Sequence, residues 1–280
     1  MMSRAVQRAI FATTAAVLVA GAAAPAYADG KLDANYTISL AGISIGKSDW
    51  TVDIKDDKFT TQASGRASGM LSVLVKGEGS VNVSGAVAAG KLVPNLFTSK
   101  VNRDDEKSEF RMVFDGGNVK ELVAGEPPKS DDRVAVTEEH RKGVIDPISA
   151  MLVPVAGTGD VLSAEACQRS LPVFDGRRRF DLKLSFKRMD KVKADKGYEG
   201  PAVVCSVTFQ ALAGHRASST LVKYLSEGRD MELWLAPIAG TRVLAPFRFS
   251  IANMIGNLVL QATTFQTSGP KPTTTGAKAN

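Results

Sequence analysis

Apolar and polar residues alternate with a period of two through much of this chain. From 180 to 187, Phe180, Leu182, Leu184 and Phe186 fall on one side, and Asp181, Lys183, Ser185 and Lys187 on the other. That is the period of a strand with one dry and one wet face. Val203, Cys205, Val207 and Phe209 repeat the pattern against Ser206, Thr208 and Gln210. Val243, Ala245, Phe247, Phe249 and Ile251 do so again, as do Tyr36, Ile38 and Leu40, Trp50, Val52 and Ile54, and Phe110, Met112 and Phe114. Asp115-Gly116 and Asp175-Gly176 stand between such runs, and Asp-Gly pairs favour short hairpin turns with positive φ at both central positions. Many short strands punctuated by turn signals predict antiparallel sheets that curl or close.

One segment departs from this period. In VIDPISAMLVPV, Asp146 can cap a helix, Pro147 suits its first position, and Ile148, Met151 and Leu152 share a face. A short helix over residues 147–153 is therefore expected, stopped before Pro154. The first 28 residues have the three-part layout of a secretory signal peptide: Arg4 and Arg8, an Ala-rich apolar run, and Ala26-Tyr27-Ala28 as a cleavage site. Residues 29–266 then read as a single β-rich domain. Residues 267–280, TSGPKPTTTGAKAN, read as a disordered tail.

The two cysteines, Cys167 and Cys205, gain meaning from this export signal. An even count in an oxidising compartment points to a disulfide, and the enclosed loop predicts about 4 kcal/mol of stabilisation on the chain-entropy model. The formal charge of +6 falls to +4 once Arg4 and Arg8 are removed. Spread-out positive charge of this size lacks the clustered footprint of a nucleic-acid binder, whereas an anionic envelope surface stays open as a partner. Aromatic residues make up only 6% of the chain, which argues against the aromatic girdles of a membrane-spanning barrel. No transmembrane segment is expected in the mature chain.

Candidate chemistry is sparse. Gly42-Ile43-Ser44-Ile45-Gly46 fits the spacing of a hydrolase nucleophile elbow, but a strand-like run follows where the elbow requires a helix. Ser44 and Lys47 also fit S-x-x-K, without its companion motifs. His140 and His215 are the only histidines, and neither stands at a metal-ligand spacing. No metal or cofactor is expected, and the paired acids read as solvated surface. Arg177, Arg178 and Arg179 leave two readings open. They are either the wet side of a hairpin, their stems covering apolar surface, or an anion site at a sheet rim.

Several segments together resemble a family of exported bacterial proteins known only as a domain of unknown function. They are Tyr36 to Gly46, DPISAML, FDGRRRFDL, and GYEGPAVVC with the later AGHR. The resemblance implies a periplasmic protein whose antiparallel sheet winds into an open or spiral β-barrel. It implies no reaction and no catalytic residue. The expected function is non-catalytic: either binding of a lipid or other apolar or anionic ligand in envelope maintenance, or a structural, protein-interaction module with a filled core.

Overall fold

The computed structural model describes residues 29–69, 77–88, 90–103, 106–125, 132–228, 230–252 and 256–270. The expected signal peptide lies outside them. The first half is an up-and-down meander of β1 (Gly30–Leu40), β2 (Ile43–Lys55), β3 (Lys58–Ala67), β4 (Gly77–Ala88), β5 (Lys91–Arg103), β6 (Glu106–Asp115) and β7 (Asn118–Val123). Two-residue turns with positive φ at both positions join β1 to β2 (Ala41-Gly42), β2 to β3 (Asp56-Asp57) and β6 to β7 (Gly116-Gly117). The last of these sits one residue beyond the Asp115-Gly116 expected from sequence. Asp115 instead stays in the ladder, opposite Asn118.

A connection then carries the chain across the molecule. It contains the two-residue strand β8 (Val153–Pro154), which pairs with β14 (Val243–Ile251). The second half is another meander: β9 (Arg169–Phe174), β10 (Arg179–Lys193), β12 (Glu199–Ala213), β13 (Met231–Pro237), β14 and β15 (Leu258–Ser268). β15 closes onto β1, so the two meanders form one sheet with β7 and β9 at its ends; β11 (Lys196–Gly197) adds a short parallel bridge to β15. This is the mainly β, antiparallel architecture expected from the alternation, and the open sheet is the one the family resemblance implied.

The expected helix over 147–153 is a single 3-10 turn, Ser149–Met151. Its cap is as expected, since Asp146 Oδ1 accepts the N–H groups of Ile148 and Ser149, each at 2.9 Å. The segment straightens at once because Val153 and Val155 are taken up by Leu244 and Arg242 of the β14 edge. Among the described residues the α-helix, α1 (Thr220–Ser226), lies elsewhere, with Ser219 as its cap. Of the expected tail, Thr267 and Ser268 pair with Leu32 and Lys31, and residues 271–280 lie outside the described residues.

Directly paired residues share a face of a sheet. The row Ile38–Leu260–Phe249–Leu233–Cys205–Phe186 therefore lies on one face. Tyr36, Ala34 and Leu32 on that face of β1 belong to the main core. In β12 to β14 the main core instead takes the reverse face, through Val204, Trp234, Ala236, Val243 and Ala245. The face of Cys205 there builds a second core with Val203, Leu233, Leu235 and Leu244. The sheet thus rolls over itself, and β12 and β13 are buried on both faces.

A β-bulge re-aims the alternation expected from sequence in β14, and a second follows the predicted run in β10. In β14 the register shifts opposite Trp234/Leu235, so Val243, Ala245 and Phe247 enter the main core while Phe249 and Ile251 pack on the second. In β10 it shifts at Lys187, between Phe186 and Arg188. Leu184 is buried and Phe180 and Leu182 are half-buried, but Phe186 ends in solvent.

Candidate binding site

The main core is built around large aromatic side chains. Tyr36, Phe59, Phe174, Phe247 and Phe265 are fully buried in it. Phe247 and Phe265 pack with ring centroids 5.5 Å apart and both touch Tyr198; Tyr36 meets Trp50 edge-on at 5.7 Å. The Tyr36 hydroxyl donates to the Pro246 carbonyl at 2.7 Å, tying the outer meander to β14.

Space opens instead at the flank, where the connection crosses the sheet ends. Val144 N–H donates to Gly117 O at 2.7 Å, in the β6–β7 turn. Ile145 N–H donates to Pro172 O at 2.8 Å, and Ile145 O accepts from Phe174 N–H at 3.0 Å, in β9. Two consecutive residues thus clasp both ends of the open sheet. Gly143, with φ of 59°, lets the chain turn beside Gly117. Beneath the clasp lies a groove of about 600 Å3. Leu92, Pro94, Val144, Leu152 and Leu171 give it apolar walls, and Lys91 and Arg169 contribute positive charge. Arg169 is aimed by a 2.9 Å bond from Nη1 to Pro154 O. Such an arrangement can hold an apolar group with an anionic end.

The clasp segment contains one buried carboxyl. Burial pushes the Asp146 carboxyl above its usual range, against the opposing pull of the N–H groups it accepts. A second polar cluster surrounds Trp234. The guanidinium carbons of Arg188 and Arg248 lie 5.3 and 5.0 Å from its ring centroid, and its Nε1 donates to Asp190 at 2.9 Å. That donation holds Asp190 below the usual carboxylate range, and the Arg188 guanidinium does the same for Glu232. Both acids are held charged, so neither is suited to proton donation near neutral pH.

The three arginines singled out in the sequence do not converge. Asp175 Oδ1 accepts the N–H groups of Arg177 and Arg178 at 2.9 and 2.6 Å, forming a four-residue loop rather than the two-residue Asp-Gly turn. Gly176 carries the positive φ, 87°, and lies against the Phe110 ring of β6. Arg177 reaches Gly125 O at 3.4 Å, and Arg178 is exposed. Arg179 is nearly buried and bound to Asp181 and to the Phe180 carbonyl. Their backbone makes the connection from β9 to β10.

Cys167 and Cys205 form a disulfide with Cα atoms 5.4 Å apart, within the second core. Ser44 lies within antiparallel β2, paired with Ser39, and not on a strand-to-helix elbow. His140 closes a 3-10 turn, its Nδ1 3.0 Å from the Thr137 N–H. No cluster of metal-ligating side chains occurs among the described residues, and no described helix is long and apolar enough to cross a membrane. The groove escaped the sequence reading because its walls come from β5, the β6–β7 turn, the connection and β9, which no local pattern links.

Fold and site together define a class: an open, rolled antiparallel β-barrel-like protein with a filled core and a flanking groove. A family model described as "Protein of unknown function (DUF3108)" matches residues 35–263, and the chain belongs to that family. Among solved structures it is similar to the beta-barrel-like protein of domain of unknown function DUF1849 from Brucella abortus. The two share 10% identity over 86% of this chain and 98% of that chain, with a TM-score of 0.49. No curated protein matches the sequence.

Proposed function

We propose that this chain is an exported, non-catalytic protein of the periplasm that works by binding an apolar ligand with an anionic end in the groove beneath the clasp. One observation carries this reading: the core is filled by its own aromatic side chains, while a groove of about 600 Å3 with apolar walls lies open beside Lys91 and Arg169. Export is supported by the leader pattern of residues 1–28 and by the Cys167–Cys205 disulfide, which suits an oxidising compartment.

The test is native mass spectrometry of protein purified from its own envelope, followed by solvent extraction. A co-purified lipid or fatty acid is expected, and its loss in Ser170→Trp, which places an indole at an exposed position on the groove wall. Protein that is ligand-free from every preparation would defeat the reading. The filled core supports a second one, a structural or protein-interaction module of the envelope. That reading predicts ligand-free protein and a Ser170→Trp variant with wild-type behaviour in the cell.

A further inference from the structure

A row of directly paired residues crosses five strands: Arg188 of β10, Val204 of β12, Trp234 of β13, Arg248 of β14 and Gln261 of β15. Direct pairing puts all five on one face. Arg188 and Arg248 both bring their guanidinium groups to the Trp234 ring, but they are not equivalent. Arg188 gives Nη1 and Nη2 to the two Glu232 oxygens at 3.3 and 2.9 Å and lies 3.9 Å from Asp190. Lys187 joins that group at 2.6 Å from Glu232. Arg248 has no carboxylate within ion-pairing distance among the described residues. Its bond from Nη1 to Gln261 Oε1 is long, 3.4 Å, and its Nε is buried without an acceptor. The cluster thus sets three cations, Lys187, Arg188 and Arg248, against two carboxylates, Asp190 and Glu232. The positive charge left over is that of Arg248.

Stacking on an indole leaves the in-plane N–H donors of a guanidinium free. A half-buried cation held this way is stabilised by an anion within reach of those donors. Arg248 lines a pocket of about 370 Å3 with Asp190, Trp234, Phe247, Gln261 and Thr263. That volume is at the small end of ligand pockets. The acids on its wall do not serve Arg248. Asp190 Oδ2 accepts from Trp234 Nε1 at 2.9 Å and Oδ1 from the Lys191 N–H at 2.8 Å. Asp195 is exposed and forms no ion pair with Arg248. Nor do the nearby lysines add free charge, since Lys193 is held by Glu199 and Lys191 alternates to the other face of β10 from Asp190.

We propose that this pocket binds a small oxyanion, the carboxylate or phosphate group of a low-molecular-weight ligand, with Arg248 as its charged donor and Trp234 as the platform that holds Arg248 in place. The pocket shares no wall with the groove beneath the clasp, so the inference is independent of the reading given for that groove.

The experiment is titration of the mature protein with sodium acetate and with sodium phosphate, at an ionic strength held constant with sodium chloride and read by tryptophan fluorescence. The chain has two tryptophans, and Trp50 is buried and bonded to Ser48, so the signal expected to move is that of Trp234. A saturable change is expected, and the anion that gives it at lower concentration names the class. Arg248→Gln should weaken binding about tenfold or more, the loss of a charge-assisted bond. Lys58→Gln, an equal change in charge at an exposed position of β3, should bind as wild type. Gln261→Glu places a carboxylate of the chain itself beside Arg248 and should abolish the response with an unchanged far-ultraviolet spectrum; it decides the matter even where Arg248→Gln fails to fold. No saturable response to either anion, a response that chloride reproduces, or binding unchanged in Gln261→Glu would each overturn the proposal.

Discussion

Replacing both half-cystines, Cys167→Ala/Cys205→Ala, tests how the connection is held. The bond joins residues 38 apart in sequence. Closing a loop of that length removes entropy from the unfolded chain equivalent to about 4 kcal/mol at room temperature. Both side chains are fully buried in the second core, so losing the two sulfur atoms adds about 1 kcal/mol or more. In a domain of this size each kcal/mol moves Tm by about 2–4 °C, so a fall of about 10–20 °C is expected in oxidising buffer. The native connection should survive the change, because Arg242 holds it separately. Its Nε, Nη1 and Nη2 donate to the carbonyls of Val155, Gly159 and Ala156 at 3.0, 2.9 and 3.3 Å. The assay is a circular dichroism melt of wild type and variant, with hydrogen exchange over residues 153–167. Wild type treated with dithiothreitol should fall by a similar amount, and exchange near 155 should stay slow in the variant. A Tm within about 2 °C of wild type would refute the entropy reasoning. Rapid exchange of Val155 in the variant would show that the disulfide, and not Arg242, holds the native connection.

Gly176→Ala should destabilise by several kcal/mol, since φ is 87° and a new Cβ would fall 1.5 Å from the Phe110 ring; adding Phe110→Ala should not deepen the loss by its full separate cost, which a double-mutant cycle in urea would measure. Asp146 has a folded pKa raised above its unfolded value of about 3.9. Its contribution to stability is therefore fully present below that unfolded value and is lost as pH rises through the raised one. Asp146→Asn keeps an acceptor for the Ile148 and Ser149 N–H groups, so urea titrations from pH 4 to 7 should show a flatter profile and equal or higher stability at pH 7. Asp146→Ala removes the acceptor and should cost about 1–2 kcal/mol.

Much of the fold was legible because β-structure writes its two faces at every second residue. Tyr36, Val52, Leu184 and Cys205 are buried where the alternation placed them. The hairpin at Asp175 was legible too, since an Asp side chain can take up the backbone N–H groups of its own turn. The α-helix at Thr220–Ser226 was missed, though Ser219 as cap and the Leu221/Leu225 spacing were signals for it. Phe249 went astray for a different reason. A bulge inserts one residue and exchanges inside for outside beyond it, and nothing in the local composition of β14 marks where that happens. Phe186 keeps the face of Leu184 and Cys205 but is left exposed there.

The sequence by itself determined several of the strands, the neighbourhood of two of their turns, the cap at Asp146 and the two cysteines available for pairing, because each depends on residues close together along the chain. Only the tertiary structure decided that the sheet rolls, that the core takes opposite faces of its two halves, and that Val144 and Ile145 clasp both sheet ends above a groove. Those features arise where segments dozens of residues apart compete to bury apolar surface. The outcome of that competition depends on register and curvature, which are properties of the assembled sheet and of no single strand.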